Sequence, residues 1–365
     1  MQSNRLHPDV IKIAFIAAAA LMVAAAAVIG VLVYATATAS ASAGLDISDD
    51  LRVLTTSGTD DPMVRLSLPE TRTVMQSFAF DPDAEFMYVS QVTGSGSSSR
   101  RSRHLIEGDL TVSKIRMSDG ELVSSMWLQG FGHGQSIGVE ARPDGDYLWT
   151  ETDSVLREDG RGWGRRIARV RWVDGATIQA SSDAVERFEC PDGALATSHC
   201  SPALDVTSNR IAIRYMDARQ RWRAALYRLS DYAASGPQAM PVADVVLPDG
   251  WGRIPGTDGT RGEGTAPAFQ GFATSGDKIY LLHGSQALAD SAMNAQVTML
   301  DWQTGELEFV PLNSVFEVSK GFAYRQPQGI AVLHSGGSSR ICVGFASRRL
   351  SHGEPRVASF AYMVP

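Results

Sequence analysis

Residues 135–139 read QSIGV, and the fold turns on the fact that this segment has relatives in its own chain: QSFAF at 76–80, SPALD at 201–205, QGFAT at 270–274 and QGIAV at 328–332. Four of the five run Gln, small, Phe or Ile, small. Their starts lie 58–69 residues apart, room for a four-stranded antiparallel sheet with its loops. A second strand follows each start (FMYVSQV, DYLWTE, RIAIRY, KIYLLH, RICVGFAS), behind a turn signal such as Pro82-Asp83, Asp144-Gly145 or Ser275-Gly276. A third follows in LTVSKIRM, RIARVRW, RWRAALYRL, AQVTMLDW and RVASFAYM, and a fourth in GELVSSMWL, ATIQASS, MPVADVVL and GELEFV. Past residue 62 almost no helical periodicity competes with this pattern, so the class is all-β.

The fifth repeat runs out of chain after its third strand. Its missing strand has a donor in MVRLSL, residues 63–68, which precedes the first repeat and has no repeat of its own. These features predict a five-bladed β-propeller in which the N-terminal strand closes the last blade; radial closure of this kind leaves few exposed strand edges. A period near 60 is too long for a solenoid coil. Small residues recur in the first strand because the innermost strands converge on the axis, while alternate positions can still hold Phe or Ile.

In that frame Gln76, Gln135, Gln270 and Gln328 start inner strands around one channel mouth, as a hydrogen-bonded collar or a ligand contact surface. His133 and His199 each stand two residues before an inner strand and reach the same mouth. Gly132-His133-Gly134 is then the hinge from the outer strand of the first blade to the inner strand of the second.

The chain has 365 residues, 44% of them hydrophobic and 20% charged, with a net charge of −7. It can bury a core, and it has no global basic field for nucleic acid. Residues 1–44 differ from the rest. Arg5 and Lys12 precede an uncharged run, Ile13–Tyr34, and a small-residue tail, ATATASASAG. The run is long enough for a membrane anchor, and the tail offers Ala-x-Ala signals for a signal peptidase. Both readings stand, and both keep Arg5 and Lys12 inside and export the remainder. The expected organisation is a signal peptide or membrane anchor at 1–44 as a hydrophobic helix, a linker at 45–62 and the propeller at 63–365.

Export makes the cysteines readable. Cys190 and Cys200 bracket CPDGALATSHC, whose Pro-Asp-Gly turn can bring the ends together as a disulfide. Cys342, between Ile341 and Val343, reads as a buried small hydrophobe.

MQSFAFDPDAEFMYVSQV, GDLTVSKIRMS, LQGFGHGQSIGVE and DYLWTE together resemble the β-propeller shared by teichoic-acid-biosynthesis-protein-C-like proteins and the receptor-binding proteins of phages that attack Gram-positive bacteria. The match is most specific over residues 75–151. It implies the same five-bladed fold and recognition of a cell-envelope glycopolymer or other surface carbohydrate. The export segment, and the lack of a trimerising stalk, point to a host envelope protein.

Trp163 in GRGWGRR and Trp251 in PDGWGR stand among glycines and arginines, and read as exposed loop platforms for sugar C–H faces. Arg165, Arg166 and Arg253 beside them suit an anionic polymer. Trp149, Trp172 and Trp302 read as core. A glycan-cleaving enzyme needs two facing carboxylates, for which Glu140, Glu151 and Asp205 are the candidates; Asp81 reads as a turn cap. A scaffold for protein partners is the third reading. No metal is expected, because neighbouring blades hold the two histidines too far apart, and no cofactor motif is found. GSGSSS at 94–99 reads as a flexible loop with no helix behind it, and Arg100–Arg103 as a solvated continuation of that loop.

Overall fold

A computed structural model describes residues 52–53, 66–94, 97–191, 199–247, 268–284, 287–288, 295–311, 324–347 and 357–364. The expected N-terminal hydrophobic helix and the 1–44 segment lie outside them. Five antiparallel sheets follow one another along the chain. From the axis outward, blade 1 is Met75–Phe80, Phe86–Val92, Leu110–Arg116 and Leu122–Gln129, and blade 2 is Gly138–Arg142, Gly145–Leu156, Gly162–Arg171 and Val185–Glu189. Blade 3 is Cys200–Asp205, Arg210–Met216, Trp222–Arg228 and Ala243–Val246; blade 4 is Ala268–Ser275, Lys278–Gly284, Ala295–Asp301 and Leu307–Pro311. Blade 5 is Tyr324–Ser335, Ser338–Ala346 and Val357–Val364, and its fourth strand comes from the N-terminal side of the chain.

That closure uses two pieces. Leu66 and Ser67 pair with Ala358 and Val357, within the stretch expected to donate the strand. Arg52 and Val53 pair with Val364 and Met363 at the far end of the same strand, so part of the 45–62 segment extends the sheet instead of only linking.

The core explains why the circle closes. Buried apolar residues form five clusters, each shared by two adjacent blades. The cluster between blades 5 and 1 joins Phe78 and Met87 to Phe360 and Cys342, and takes in Leu66 and Leu68 from the closing strand. Cys342 is fully buried there, as its neighbours predicted. Each strand therefore offers one apolar face to each neighbouring blade, which is why these strands read as continuous hydrophobic runs. Trp149 and Trp302 are buried as read, while Trp172 is half-buried and edge-on to Tyr88.

Two sequence expectations are corrected. The segment read as the fourth strand of blade 2, ATIQASS, instead places Thr177–Gln179 parallel to Trp127–Gln129 on the outer edge of blade 1. Val185–Glu189 takes the vacated position, held by a two-point contact of Arg169 with Glu186, 3.1 and 2.5 Å. A three-residue strand carries no mark of which neighbouring edge it will join, and Ile178 packs against the cluster between blades 1 and 2. Second, Ser98–Glu107 is an α-helix, not a solvated loop. Ser97 caps it by accepting the Arg100 N–H, and Gly108 ends it in the left-handed region. No helix residue is buried, so no apolar stripe announced it; caps and the Arg103–Glu107 pair at i, i+4 support it.

Candidate functional site

The two ends of the axis differ. Between the innermost strands the described residues enclose a cavity of about 40 Å³. At the end where those strands begin, the blades surround a bowl of about 920 Å³. It is this bowl, and not a through-channel, that Gln76, Gln135, Gln270, Gln328, His133 and His199 reach, and all six line it.

The glutamines get there by a shared device. The pairing register slips around Gln76, around Gln270 and around Gln328–Gly329, so each sits in a bulge at the start of its inner strand. A bulge re-aims the side chain of the extra residue. Gln270 donates to the Gly284 carbonyl at 3.0 Å, and Gln328 is almost fully buried.

His133 is positioned by the Gly132–Gly134 hinge, and a buried carboxylate holds the hinge. Glu151 Oε1 accepts the backbone N–H groups of His133 (2.9 Å) and Gly134 (2.5 Å), and Oε2 accepts that of Gly164 (2.6 Å). A β-carbon on Gly132, whose φ is +146°, would stand 2.6 Å from Glu151 Oε2; one on Gly134, at φ +75°, would stand 2.5 Å from Ser90 Oγ. Both glycines are therefore fixed by close approach as well as by backbone angle. Burial pushes Glu151 up to about 7, against the downward pull of the backbone donors.

Beyond the hinge runs a ladder of rings. Trp163 lies tilted against His133 with centroids 4.4 Å apart and stacks on His199 at 4.6 Å, and His199 meets Trp222 edge-on at 5.9 Å. Burial and nearby arginines hold both imidazoles neutral: His133 falls to about 3 and His199 to about 4. Arg157 Nε–H donates to His199 Nε2 at 2.9 Å, which requires the neutral ring.

These contacts correct several expected roles. Trp163 is not an exposed loop platform: it lies within Gly162–Arg171, is 8% exposed, has its ring engaged by two histidines and donates its N–H to Asp159. It meets the bowl only as part of the ladder. Arg165 is exposed but is not among the lining residues, and Arg166 is committed to Asp153 (2.8 Å) and Glu189 (2.6 Å). Trp251 and Arg253 lie outside the described residues. The three candidate carboxylates do not face one another across the bowl. Glu151 is spent on the hinge. Glu140 accepts the Trp149 indole N–H at 2.8 Å. Asp205, at the opposite end of its inner strand, accepts Thr207 Oγ1–H, Ser208 N–H and Gly276 N–H at 2.6–3.1 Å. Asp81 caps the Phe86 N–H at 2.7 Å, as its turn context predicted.

Sequence reasoning missed the arginines. Arg72, Arg101, Arg161 and Arg214 line the bowl, and no Asp or Glu is among its described lining residues. Arg101 comes from the unanticipated helix. Arg214 comes from the middle of IAIRY, and a charged residue inside an apolar strand was the available signal.

The expected disulfide is formed between Cys190 and Cys200, Cα atoms 6.0 Å apart, tying the outer strand of blade 2 to the inner strand of blade 3 beside His199. A loop of this length contributes about 3 kcal/mol.

Comparison with known proteins agrees with this architecture. Residues 74–233 match the family described as the phage 5-bladed beta propeller receptor binding platform domain. A Bacillus subtilis (strain 168) protein named as a major teichoic acid biosynthesis protein C is 28% identical over 184 residues, 49% of this chain and 37% of that protein. The tail fiber of Staphylococcus aureus phage P68 superposes with a TM-score of 0.58 at 16% identity, covering 82% of this chain and 52% of the fiber. The chain thus spans about half the length, or less, of these relatives. The resemblance seen in the first two blades holds: residues 74–233 match the model of the phage receptor-binding platform propeller, and the solved tail fiber shares the fold.

Proposed function

We propose that the propeller is an extracytoplasmic binding module that takes an anionic, hydroxyl-rich cell-envelope polymer into the bowl. One observation carries this reading: a cavity of about 920 Å³ lined by four arginines, five glutamines and two neutral histidines, with no carboxylate among the described lining residues. Arginine forks match oxyanions, while amides and neutral imidazoles exchange hydrogen bonds with hydroxyls. The phage receptor-binding match and the relative named for teichoic acid biosynthesis support the same ligand class. The disulfide suits an oxidising compartment. In this reading residues 1–44 export the domain as an anchor or a cleaved signal. Among the described residues no helix is long and apolar enough to cross a membrane.

A glycan-cleaving role lacks an observation in its favour, since Glu140, Glu151 and Asp205 are each engaged away from the bowl. The test is retention of the full-length chain, in mild detergent, on purified wall polymers. Phosphodiester- or uronate-containing polymers should retain it and neutral ones should not, with retention falling steeply as salt rises. Release of reducing ends would favour cleavage, and equal retention on neutral polymer would refute the charge-based reading.

A further inference from the structure

Arg214 differs from the other arginines of the bowl. It is 7% exposed, and its Cζ lies 3.5 Å from the ring centroid of Trp222 and 3.8 Å from that of Phe269. Two rings so close to one carbon cannot share a face of the guanidinium without overlapping, so blades 3 and 4 hold it as the filling of an aromatic sandwich. Among the described residues it has no carboxylate partner and no hydrogen bond; by contrast Arg166, Arg169, Arg221 and Arg223 each pair with an acid.

Such a residue is costly. A buried cation without a counter-charge loses its hydration, and stacking on two aromatic faces offsets only part of that loss. Burial alone draws Arg214 down to about 9, with no opposing charge to restore it. Stacking also fixes the plane of the fork. With both faces covered, only the N–H edge remains for a partner, and Arg214 lines the bowl together with Trp222 and Phe269. A planar fork presented edge-on from a desolvated slot fits an oxyanion bidentately.

We infer that Arg214 is the docking point for a singly charged oxyanion carried on the hydroxylated polymer, a phosphodiester or a uronate carboxylate, gripped edge-on between Trp222 and Phe269. This rests on the proposed polymer-binding function and assigns the subsite within it. The neighbouring groups complete the subsite: His199 touches Trp222, and Gln270 follows Phe269 in the chain. Both are neutral and suit hydroxyls flanking the anion. The anion then provides the counter-charge that the bowl lacks.

The test uses the full-length chain with three probes of equal length: a glycerol-phosphate oligomer, an oligogalacturonate and a neutral maltooligosaccharide. Affinity for the preferred anionic probe should fall at least tenfold in both Arg214→Lys and Arg214→Met. Lysine keeps the charge and loses the fork; methionine removes both. Arg214→Met should melt no lower than wild type, because an apolar chain of similar length relieves the burial of an unpaired charge. The wild type should melt higher when the preferred anionic probe is added, and Arg214→Met should not respond. Whichever anionic probe shows the loss identifies the oxyanion. Unchanged affinity in both variants would overturn the role of Arg214 while leaving polymer binding intact. A wild type that binds neither anionic probe would overturn both.

Discussion

The two ends of the propeller axis are built from the same five inner strands and are chemically opposite. Where the strands begin, bulges turn glutamines inward, arginines line a wide bowl and the histidines are neutral. Where they end, Asp81 and Asp205 close turns with backbone hydrogen bonds over a cavity of about 40 Å³. The difference lies in where carboxylates are spent. At the far end they satisfy turn N–H groups on blades 1, 3 and 4. At the bowl Glu151 faces backward to hold the hinge, and no carboxylate is among the described lining residues.

Four measurements would break or sharpen this contrast. Glu151→Ala should have the largest effect, because it leaves at least three buried N–H groups unpaired at the hinge. We expect a loss of about 4 kcal/mol in denaturant unfolding, together with loss of polymer retention.

Next comes acid. His133 and His199 sit at about 3 and about 4 in the folded protein, below their ordinary value of 6.5. The unfolded chain therefore takes up protons first. Stability from their neutral burial is complete above pH 6.5 and drains as pH falls through 4 to 3. Between pH 7 and 4.5 the wild type should lose about 5 kcal/mol more than a His133→Gln/His199→Gln variant. The comparison isolates the histidines, since Glu151 titrates in both proteins. Parallel pH profiles would show that the imidazoles are not held neutral by burial.

Asp205→Ala, at the far end, should cost about 2 kcal/mol by freeing the Ser208 and Gly276 N–H groups. Polymer retention should survive it, and loss of retention in a folded variant would break the division between the ends. Arg165→Ala should matter least, within about 0.5 kcal/mol in stability and twofold in retention, because the side chain is exposed and outside the bowl.

The blade frame was legible because crowding at the axis forces a residue pattern. Small residues at alternate positions of QSFAF or QGIAV can be read without coordinates, and so can the ring of glutamines. The closing strand was legible by counting. What failed was information carried by neighbours remote in sequence. Nothing in ATIQASS states that its edge partner is Trp127–Gln129. Nothing near Trp163 states that two histidines will occupy its ring, and glycines around a tryptophan read as a loop when they in fact let a strand pass close to Glu151. Arg214 depended on both blades 3 and 4, so its setting could not be read from either alone.

The parallel strand Thr177–Gln179 bears on how the chain is made. The outer edge of blade 1 ends at Gln129, and the segment that covers it is synthesised about 50 residues later. On a ribosome or a translocon, blade 1 therefore emerges with an open hydrogen-bonding edge, and stays so until three strands of blade 2 have followed. The first two blades are thus a single unit of vectorial folding, and a truncation placed between them would leave the first as a template for misassembly.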